Sequence, residues 1–264
     1  MVDLHQHLLP GLDDGSPDLD ISLAMARMAV EEGITHVIAT PHASSRYDFE
    51  PALIAERLAV LRSSLAERGI PLQLATGCDF HMSYENIRDA LAHPRKYTLN
   101  ASAYLLVELP DLAISPHVSE LFYQLRLSGM VPILTHPERN QRLQADSKRL
   151  RDWLRSDLLV QVTAGSVLGQ MGKAAERMAH MLLANRWVHF LATDAHDVRH
   201  RPPQMREAHR VVAERYGEEY ADRLCTGNPL AVFEGRDLPE QDEPLHLYGD
   251  EMAGQPWWKR IFGS

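Results

Sequence analysis

The sequence predicts an α/β fold in which parallel strands close into a barrel, and three observations support this. Seven short β-rich runs recur along the 264 residues, most of them are followed by a helical pattern, and the runs are almost continuously apolar. Strands that alternate with helices are usually parallel, and continuous apolar runs are typical of strands covered on both faces. Because few long stretches interrupt these units, a closed (β/α) barrel is favoured over an open sheet.

The individual elements follow from residue spacing. The predicted strands are Val2–His5, Thr35–Thr40, Leu72–Cys78, Tyr104–Leu109, Val131–Thr135, Leu159–Thr163 and Val188–Thr193. The predicted helices are Leu19–Glu32, Pro51–Arg68, Pro116–Ser128, Ser147–Arg155, Gly172–Asn185 and Pro203–Tyr216. Glycine follows each of the first three helices, at Gly33, Gly69 and Gly129, and it is the usual helix stop because it tolerates a left-handed conformation.

Composition and charge argue against several classes of partner. The chain is 45% hydrophobic and 24% charged, with a formal net charge of −9 and no basic cluster, which disfavours nucleic acid. No apolar stretch approaches the roughly 20 residues that cross a bilayer, and no signal peptide is recognisable. Cys78 and Cys225 show no pairing pattern. We therefore expect a cytoplasmic protein without a transmembrane segment.

Residue types that bind metals stand at the C-terminal ends of six of the seven predicted strands. His5 and His7 alternate at the end of the first strand, so both imidazoles lie on one face. The full set of candidate ligands is His5, His7, Asp14, His42, Asp79, Glu108, His136, Asp194 and His196. Active sites of (β/α) barrels lie at this end of the strands. The sixth run, VQVTAGS, ends without such a residue.

Divalent cations explain why these side chains would converge. Burying unpaired charged groups costs several kcal/mol each, and carboxylates packed together shift their pKa values strongly. Five histidines and four carboxylates are too many for one ion but suit two or three ions with a bridging carboxylate. Imidazole and carboxylate ligands without thiolate suit Mn, Fe or Zn. We read the other nine histidines, such as His36, His93 and His180, as ordinary surface or core residues.

The motifs resemble those of the polymerase and histidinol phosphatase (PHP) superfamily of metal-dependent phosphoesterases. They are HQH at 5–7, DD at 13–14, ATPH at 39–42, Asp79, VELP at 107–110, THPER at 135–139 and TDAH at 193–196. A narrower likeness is to the bacterial manganese-dependent protein-tyrosine phosphatases found with capsule and exopolysaccharide genes. It rests on DxHxHxLPGxDDG at the start, THPERN, and DAHDVRHRPP at 194–203. The resemblance covers roughly residues 1–235.

This resemblance implies a specific fold and activity. It implies a distorted (β/α)7 barrel with a three-metal centre, manganese being favoured, at the C-terminal ends of the strands. Arg139 and Arg201 would hold the phosphoryl group, and metal-bound hydroxide would attack phosphorus. The implied substrate is phosphotyrosine on an autophosphorylated bacterial tyrosine kinase that controls polysaccharide export. Asp79 departs from the glutamate that is usual in the family, which puts the metal spacing or identity in doubt.

Three alternatives stay open. A small-molecule phosphoesterase such as a histidinol-phosphate phosphatase would use the same metals. An amidohydrolase also begins with HxH, although the four lysines fall away from the strand ends, at Lys96, Lys148, Lys173 and Lys259. A non-catalytic module that binds phosphotyrosine would not need the full ligand set. Thiol chemistry is disfavoured because no arginine stands where a Cys-x5-Arg loop from Cys78 would require it.

The last part of the chain differs in character from the rest. Residues 236–264 begin as an acidic, turn-rich stretch that reads as a linker. They end in PWWKRIFGS, where Trp257 and Trp258 precede two basic residues. This end would either dock a partner or membrane surface or fold back onto the barrel. We therefore predict a phosphoesterase domain over 1–235 and a separate tail over 236–264.

Overall fold

Parallel strands form the centre of the structure, a computed structural model that describes residues 1–110 and 113–248. The strands are β1 (Val2–Gln6), β2 (His36–Ala39), β3 (His42–Ala43), β4 (Gln73–Thr76), β5 (Asp79–His81), β6 (Tyr104–Glu108), β7 (Val131–Thr135), β8 (Leu159–Thr163) and β9 (Phe190–Ala192). Each pair of neighbouring strands is parallel. The alternation of apolar runs and helical patterns therefore predicted the α/β class correctly.

The helices lie where the apolar spacing predicts them, with some additions. They are α1 (Leu19–Glu31), α2 (Pro51–Glu67), α3 (Tyr84–Ala92), α4 (Val118–Leu127), α5 (Gln141–Ala145), α6 (Lys148–Leu154), α7 (Ala164–Val167), α8 (Lys173–Ala184), α9 (Arg206–Tyr216), α10 (Glu218–Asp222) and α11 (Asn228–Phe233). The six predicted helices correspond to α1, α2, α4, α6, α8 and α9. Across residues 1–110 and 113–248, none of the helices is both long enough and apolar enough to span a membrane.

The strands pair into two sheets, and the single closed barrel is not confirmed. One sheet has the order β1-β2-β4 and the other β3-β5-β6-β7-β8-β9. The division arises because two short strands, β3 and β5, follow the second and third predicted strands, Thr35–Thr40 and Leu72–Cys78, and pair in the other sheet. Pro41, which lacks a backbone N–H, separates β2 from β3. Gly77 lies between β4 and β5, where a Cβ atom would come within 2.4 Å of Leu99 Cδ2. No closed barrel is found among the described strands.

β1 approaches the chain beyond β9 through isolated contacts. Gln6 and Ala195 form a single parallel bridge. On either side of it, the Asp194 amide donates to the His5 carbonyl and the His7 amide to the Ala195 carbonyl, both at 2.9 Å. The C-terminal ends of β1 and β9, from opposite ends of the chain, therefore lie side by side.

Apolar side chains from both sheets pack into one inner cluster. It includes Leu4, Ile38, Leu106 and Phe190, all fully buried, together with Val232 of α11. A larger cluster joins the strands to the surrounding helices. Strands buried on both faces explain why their sequences read as continuous apolar runs. The polar residues at the strand ends lie beyond this packed interior.

The described part of the predicted linker lies against the body of the protein. The Leu245 amide donates to the Asn185 carbonyl, and Trp187 Nε1 donates to the Leu245 carbonyl, each at 2.9 Å. Arg155 Nε donates to the carbonyl of Leu247, whose side chain is buried. These contacts lie before β8 and β9, at the end of the strands opposite His5 and Asp194. The predicted docking residues Trp257 and Trp258 lie outside the described residues.

Candidate metal centre

The end of β1 supplies two histidines that face the same point. His5 lies in the strand and His7 just beyond it, and both side chains are fully buried. Their Nε2 atoms are 3.4 Å apart. Two imidazole nitrogens that meet in this way either share a proton or present lone pairs to a cation. The same-face arrangement expected from the HxH spacing is therefore present.

The loop after β1 folds back onto His7 and fixes the orientation of its ring. Asp13 Oδ2 lies 2.7 Å from His7 Nδ1 and also accepts the His42 amide at 3.0 Å. Asp13 Oδ1 accepts the Gly15 amide at 2.9 Å. Glycine is required at 15 because a Cβ atom would lie 2.4 Å from His7 Cβ. Asp13, absent from the predicted ligands, thus directs His7 Nε2 towards the centre.

Asp14, the second carboxylate of the pair, faces a different set of histidines. Its Oδ1 lies 3.4 Å from His42 Nε2 and 3.8 Å from His196 Nε2. The ring of His7 completes this set, with centroids 4.5 Å from His42 and 3.9 Å from His196. The hydrogen bond to His42, opposed by burial, lowers the pKa of Asp14 below its usual range. A charged carboxylate and three imidazoles are a suitable donor set for a divalent ion.

Asp79 is a fully buried carboxylate that faces two histidines without good hydrogen-bond geometry. Its Oδ2 lies 3.1 Å from His42 Nδ1 and 3.5 Å from His5 Nε2. Neither carboxylate oxygen has a hydrogen-bond partner among the described residues. Leaving both oxygens of a buried carboxylate unsatisfied is costly, and a cation between these donors would remove that cost. This observation is the strongest sign that the residues fit metal ions.

Three groups of donor atoms, each spanning no more than 4.8 Å, are formed by the described residues. The groups are His7, Asp14, His42 and His196; His5, His7 and Asp79; and His42, Asp79 and Glu108. They contain seven of the nine predicted ligands. His136 and Asp194 adjoin them. The structure therefore brings all nine residues to one end of the strands, while their role as ligands stays a prediction.

Glu108 lies between two histidines, one of which the sequence analysis missed. Its Oε1 is 3.6 Å from His136 Nε2, and its Oε2 is 3.4 Å from His81 Nδ1. The hydrogen bond to Glu108 raises the pKa of His81. We had expected His81 to lie away from the strand ends as an ordinary surface or core histidine. This expectation is wrong, because His81 is the last residue of β5 and borders the centre. The signal was available, since His81 follows Asp79 by two residues and so shares its face of β5.

Asp194 has one oxygen on each side of the centre. Its Oδ1 lies 3.4 Å from the Nε2 atoms of both His5 and His7. Its Oδ2 accepts hydrogen bonds from Arg139 Nη1 and Arg201 Nη2. Burial alone would raise the pKa of Asp194, but His5 and the two guanidinium groups hold it well below its usual range. The two predicted phosphoryl-binding arginines therefore converge on a carboxylate that also faces the histidines.

β8, which is the sixth of the strands predicted from the sequence, contributes a side-chain amide rather than a candidate metal ligand. Gln161 Oε1 lies 3.0 Å from His5 Nδ1, and both residues are fully buried. This contact favours a proton on Nδ1, which leaves the His5 Nε2 lone pair facing Asp79 and Asp194. His5 and Gln161 are far apart in the sequence, so only the structure identifies this contact.

A cavity of about 340 Å³ opens beside the centre. Glu108, His136 and Arg139 form its polar wall. Leu109, Leu134 and Pro137 contribute apolar surface. A cavity that combines an arginine and candidate metal ligands with apolar walls suits a phosphate ester that carries a hydrophobic group.

The chain is similar to tyrosine-protein phosphatases from bacteria. A tyrosine-protein phosphatase of Bacillus subtilis, YwqE, is 35% identical over 93% of this chain and 96% of its own length. CapC of Staphylococcus aureus, a putative tyrosine-protein phosphatase, is 28% identical over 92% of this chain and 96% of its own length.

A crystal structure from work on YwqE and Streptococcus pneumoniae CpsB, described as unique metal-dependent tyrosine phosphatases, is 33% identical to this chain. It superimposes with a TM-score of 0.87 and covers 93% of this chain and 98% of its own. A family model for capsular polysaccharide synthesis, CpsB/CapC, matches residues 1–234. This chain belongs to the CpsB/CapC family.

Proposed function

We propose that the protein is a metal-dependent phosphomonoester hydrolase that removes phosphate from phosphotyrosine in proteins. The observation that carries this proposal is the convergence of histidines and carboxylates on the buried, unsatisfied Asp79, beside two arginines that meet at Asp194. The family and the tyrosine-phosphatase relatives support the same activity.

We further propose that His5, His7, Asp14, His42, Asp79, Glu108, His136, Asp194 and His196 hold two or three divalent ions. Their mixed nitrogen and oxygen donors suit Mn, Fe or Zn, and the family resemblance favours Mn. When bound, such ions polarise a phosphoryl oxygen and lower the pKa of a bound water to about 7. Asp79 is the candidate bridging ligand, because among the described residues it is the carboxylate that belongs to two of the donor groups.

Arg139 and Arg201 would bind the phosphoryl oxygens. Their guanidinium groups are planar and permanently charged, which matches the geometry of phosphate. Both now donate to Asp194 Oδ2. Arg139 lines the cavity, and the side chain of Arg201 is 25% exposed. The apolar surface of Leu109 and Pro137 would contact the tyrosine ring.

The proposed substrate is an autophosphorylated bacterial tyrosine kinase that regulates capsule or exopolysaccharide synthesis. The match to a capsular polysaccharide synthesis family supports this choice. We place the reaction in the cytoplasm, where the free and buried Cys78 and Cys225 would stay reduced. We also propose that residues 1–235 form the catalytic domain, as a distorted (β/α)7 barrel, and that 236–264 form a tail.

The test combines metal analysis with a comparison of substrates. Purified protein is analysed for Mn, Fe and Zn, and is then assayed on phosphotyrosine peptides and on histidinol phosphate. We expect two or three ions per chain, a higher kcat/KM for the peptides, and loss of activity on chelation. Faster hydrolysis of histidinol phosphate would favour a small-molecule phosphatase. Tight peptide binding without turnover by the metal-loaded protein would favour a non-catalytic module.

A further inference from the structure

Candidate metal ligands come from both β1 and the residues after β9, and these two strands are not joined by a continuous series of backbone hydrogen bonds. His5 and His7 lie on the β1 side, and Asp194 and His196 follow β9, which belongs to the other sheet. One isolated bridge, between Gln6 and Ala195, pairs the two backbones. The spacing between the two sets of side chains therefore depends on other contacts between these two segments.

Asp3 supplies such contacts from a fully buried position in β1. Its Oδ1 accepts the Thr193 amide at 3.1 Å and the His5 amide at 3.3 Å. Its Oδ2 accepts a hydrogen bond from the Thr193 hydroxyl. The same hydroxyl oxygen accepts the Ala195 amide at 3.2 Å. One carboxylate thus ties His5 to the residues on both sides of Asp194.

The backbone at Asp194 explains why it needs this support. Asp194 has φ of 53°, in the left-handed region that is unfavourable for residues other than glycine. Such a conformation persists only where the surrounding structure over-determines it. The amides of Thr193 and Ala195, which flank Asp194, are held by Asp3 directly and through the Thr193 hydroxyl. A buried carboxylate is itself costly unless it is well hydrogen-bonded, so this arrangement is not explained by packing alone.

We propose that Asp3 is a positioning residue for the metal centre. Asp3 accepts hydrogen bonds from the amide and the hydroxyl of Thr193, and these bonds fix the strained turn at Asp194. Asp194 Oδ1 therefore stays 3.4 Å from His5 Nε2 and from His7 Nε2. The inference rests on the proposed function only in taking these three side chains as ligands. Asp3 itself belongs to none of the donor groups formed by the described residues.

The Asp3→Asn variant tests this directly. Asp3 accepts from four donors, which are the Thr193 amide and hydroxyl, the His5 amide and Gln6 Nε2. An asparagine keeps the shape but offers these donors only one oxygen, so the turn should loosen. We expect Mn²⁺ affinity, measured by titration calorimetry on the full chain, to fall about 10- to 100-fold, as for other residues that orient metal ligands. Asp152→Asn, at a carboxylate 65% exposed and paired with Arg155, is the matched control and should bind Mn²⁺ normally.

A second pair of variants keeps the carboxylate and decides the question if Asp3→Asn fails to fold. Thr193→Val removes the hydroxyl bridge with little change in volume, whereas Thr193→Ser retains it. We expect Thr193→Val to weaken Mn²⁺ binding at least fivefold and Thr193→Ser to restore most of the affinity. A merely structural role would lower the Tm of the metal-free protein in Thr193→Val without changing the Mn²⁺ affinity of the folded fraction.

Two outcomes would overturn the proposal, and neither depends on phosphatase activity. One is a folded Asp3→Asn variant with wild-type Mn²⁺ affinity. The other is equal Mn²⁺ affinity in Thr193→Val and Thr193→Ser. Wild-type protein that binds Mn²⁺ but leaves phosphotyrosine peptides intact would refute the proposed function instead, and the effect of Asp3 on metal affinity would still be measurable.

Discussion

Replacement of Asp13 by asparagine should weaken metal binding through His7, although Asp13 is not a predicted ligand. Three N–H groups converge on the Asp13 carboxylate, from His7 Nδ1, the His42 amide and the Gly15 amide. An asparagine offers one oxygen and one NH₂ group to these three donors. In either orientation of the amide, an N–H group therefore faces the NH₂ group.

The size of the effect follows from the tautomer of His7. If the oxygen stays at the position of Oδ2, His7 Nδ1 still donates, but to a neutral acceptor that holds this tautomer less firmly than a carboxylate. If the NH₂ group lies there, the His7 ring must accept at Nδ1 and carry its proton on Nε2. Nε2 is the atom that lies 3.4 Å from both His5 Nε2 and Asp194 Oδ1, and a protonated nitrogen cannot bind a cation. Loss of such an orienting contact typically lowers metal affinity 10- to 100-fold, or about 1.4–2.7 kcal/mol.

Titration calorimetry with Mn²⁺ measures this change, and circular dichroism checks that the variant is folded. Asp152→Asn makes the same chemical change at an exposed carboxylate and serves as the control. We expect kcat at saturating Mn²⁺ to fall less than the Mn²⁺ affinity, because His7 can be forced back to the binding tautomer by excess metal. Wild-type affinity in a folded Asp13→Asn variant would refute the reasoning.

Three further predictions concern the arginines, the metals and a distant histidine. Arg139→Lys and Arg201→Lys should each lower kcat/KM for a phosphotyrosine peptide about 10- to 100-fold, because lysine lacks the planar fork that matches phosphate; an unchanged kcat/KM would exclude a phosphoryl-binding role. Chelation should abolish hydrolysis and lower the Tm, and added Mn²⁺ should restore both; activity that survives complete metal removal would contradict the proposed mechanism. Burial, with a smaller effect of Arg223, lowers the pKa of His189 to about 4, so stability should fall as the pH drops from about 6.5 to 4, by at most about 3 kcal/mol. The His189→Asn variant keeps an acceptor, because its Oδ1 can take the hydrogen bond that the Val160 amide now donates to Nδ1. Urea unfolding across this pH range should show a flatter pH dependence of stability for this variant. An equally steep dependence would show that His189 is not the group that titrates.

The strand and helix pattern was predictable because each element carries its own signal. α1 and α2 end within one residue of the predicted ends, since glycine follows each of them closely. The division into two sheets was not predictable in the same way. It depends on Pro41 and Gly77, which separate β2 from β3 and β4 from β5. It also depends on Leu99, a distant residue that packs against Gly77. Contacts over such separations leave no local pattern in a single sequence.

The site was predictable to the extent that residue type and position at a strand end identify a ligand. The sequence could not distinguish the roles of Asp13 and Asp14, because both are carboxylates in the same turn. The fold of the loop around Gly15 determines that Asp13 contacts His7 Nδ1, the ring nitrogen that points away from the centre, whereas Asp14 faces His42. The supporting contact from Gln161 was equally hidden, because it joins residues 156 positions apart.

Charge at the site explains how an acidic protein can act on an anionic substrate. Asp14, Asp79, Glu108 and Asp194 contribute four negative charges, against two positive charges from the arginines when the histidines are neutral. By themselves, these side chains would repel a phosphate dianion. Two divalent ions carry four positive charges and reverse that balance while the histidines are neutral, as metal ligands must be. Both arginines donate to Asp194 Oδ2, and Arg139 also lines the cavity beside the centre. A cation held by Asp194 Oδ1 would compete for the charge of that carboxylate and would weaken its hold on the arginines, which would leave them freer to bind phosphate.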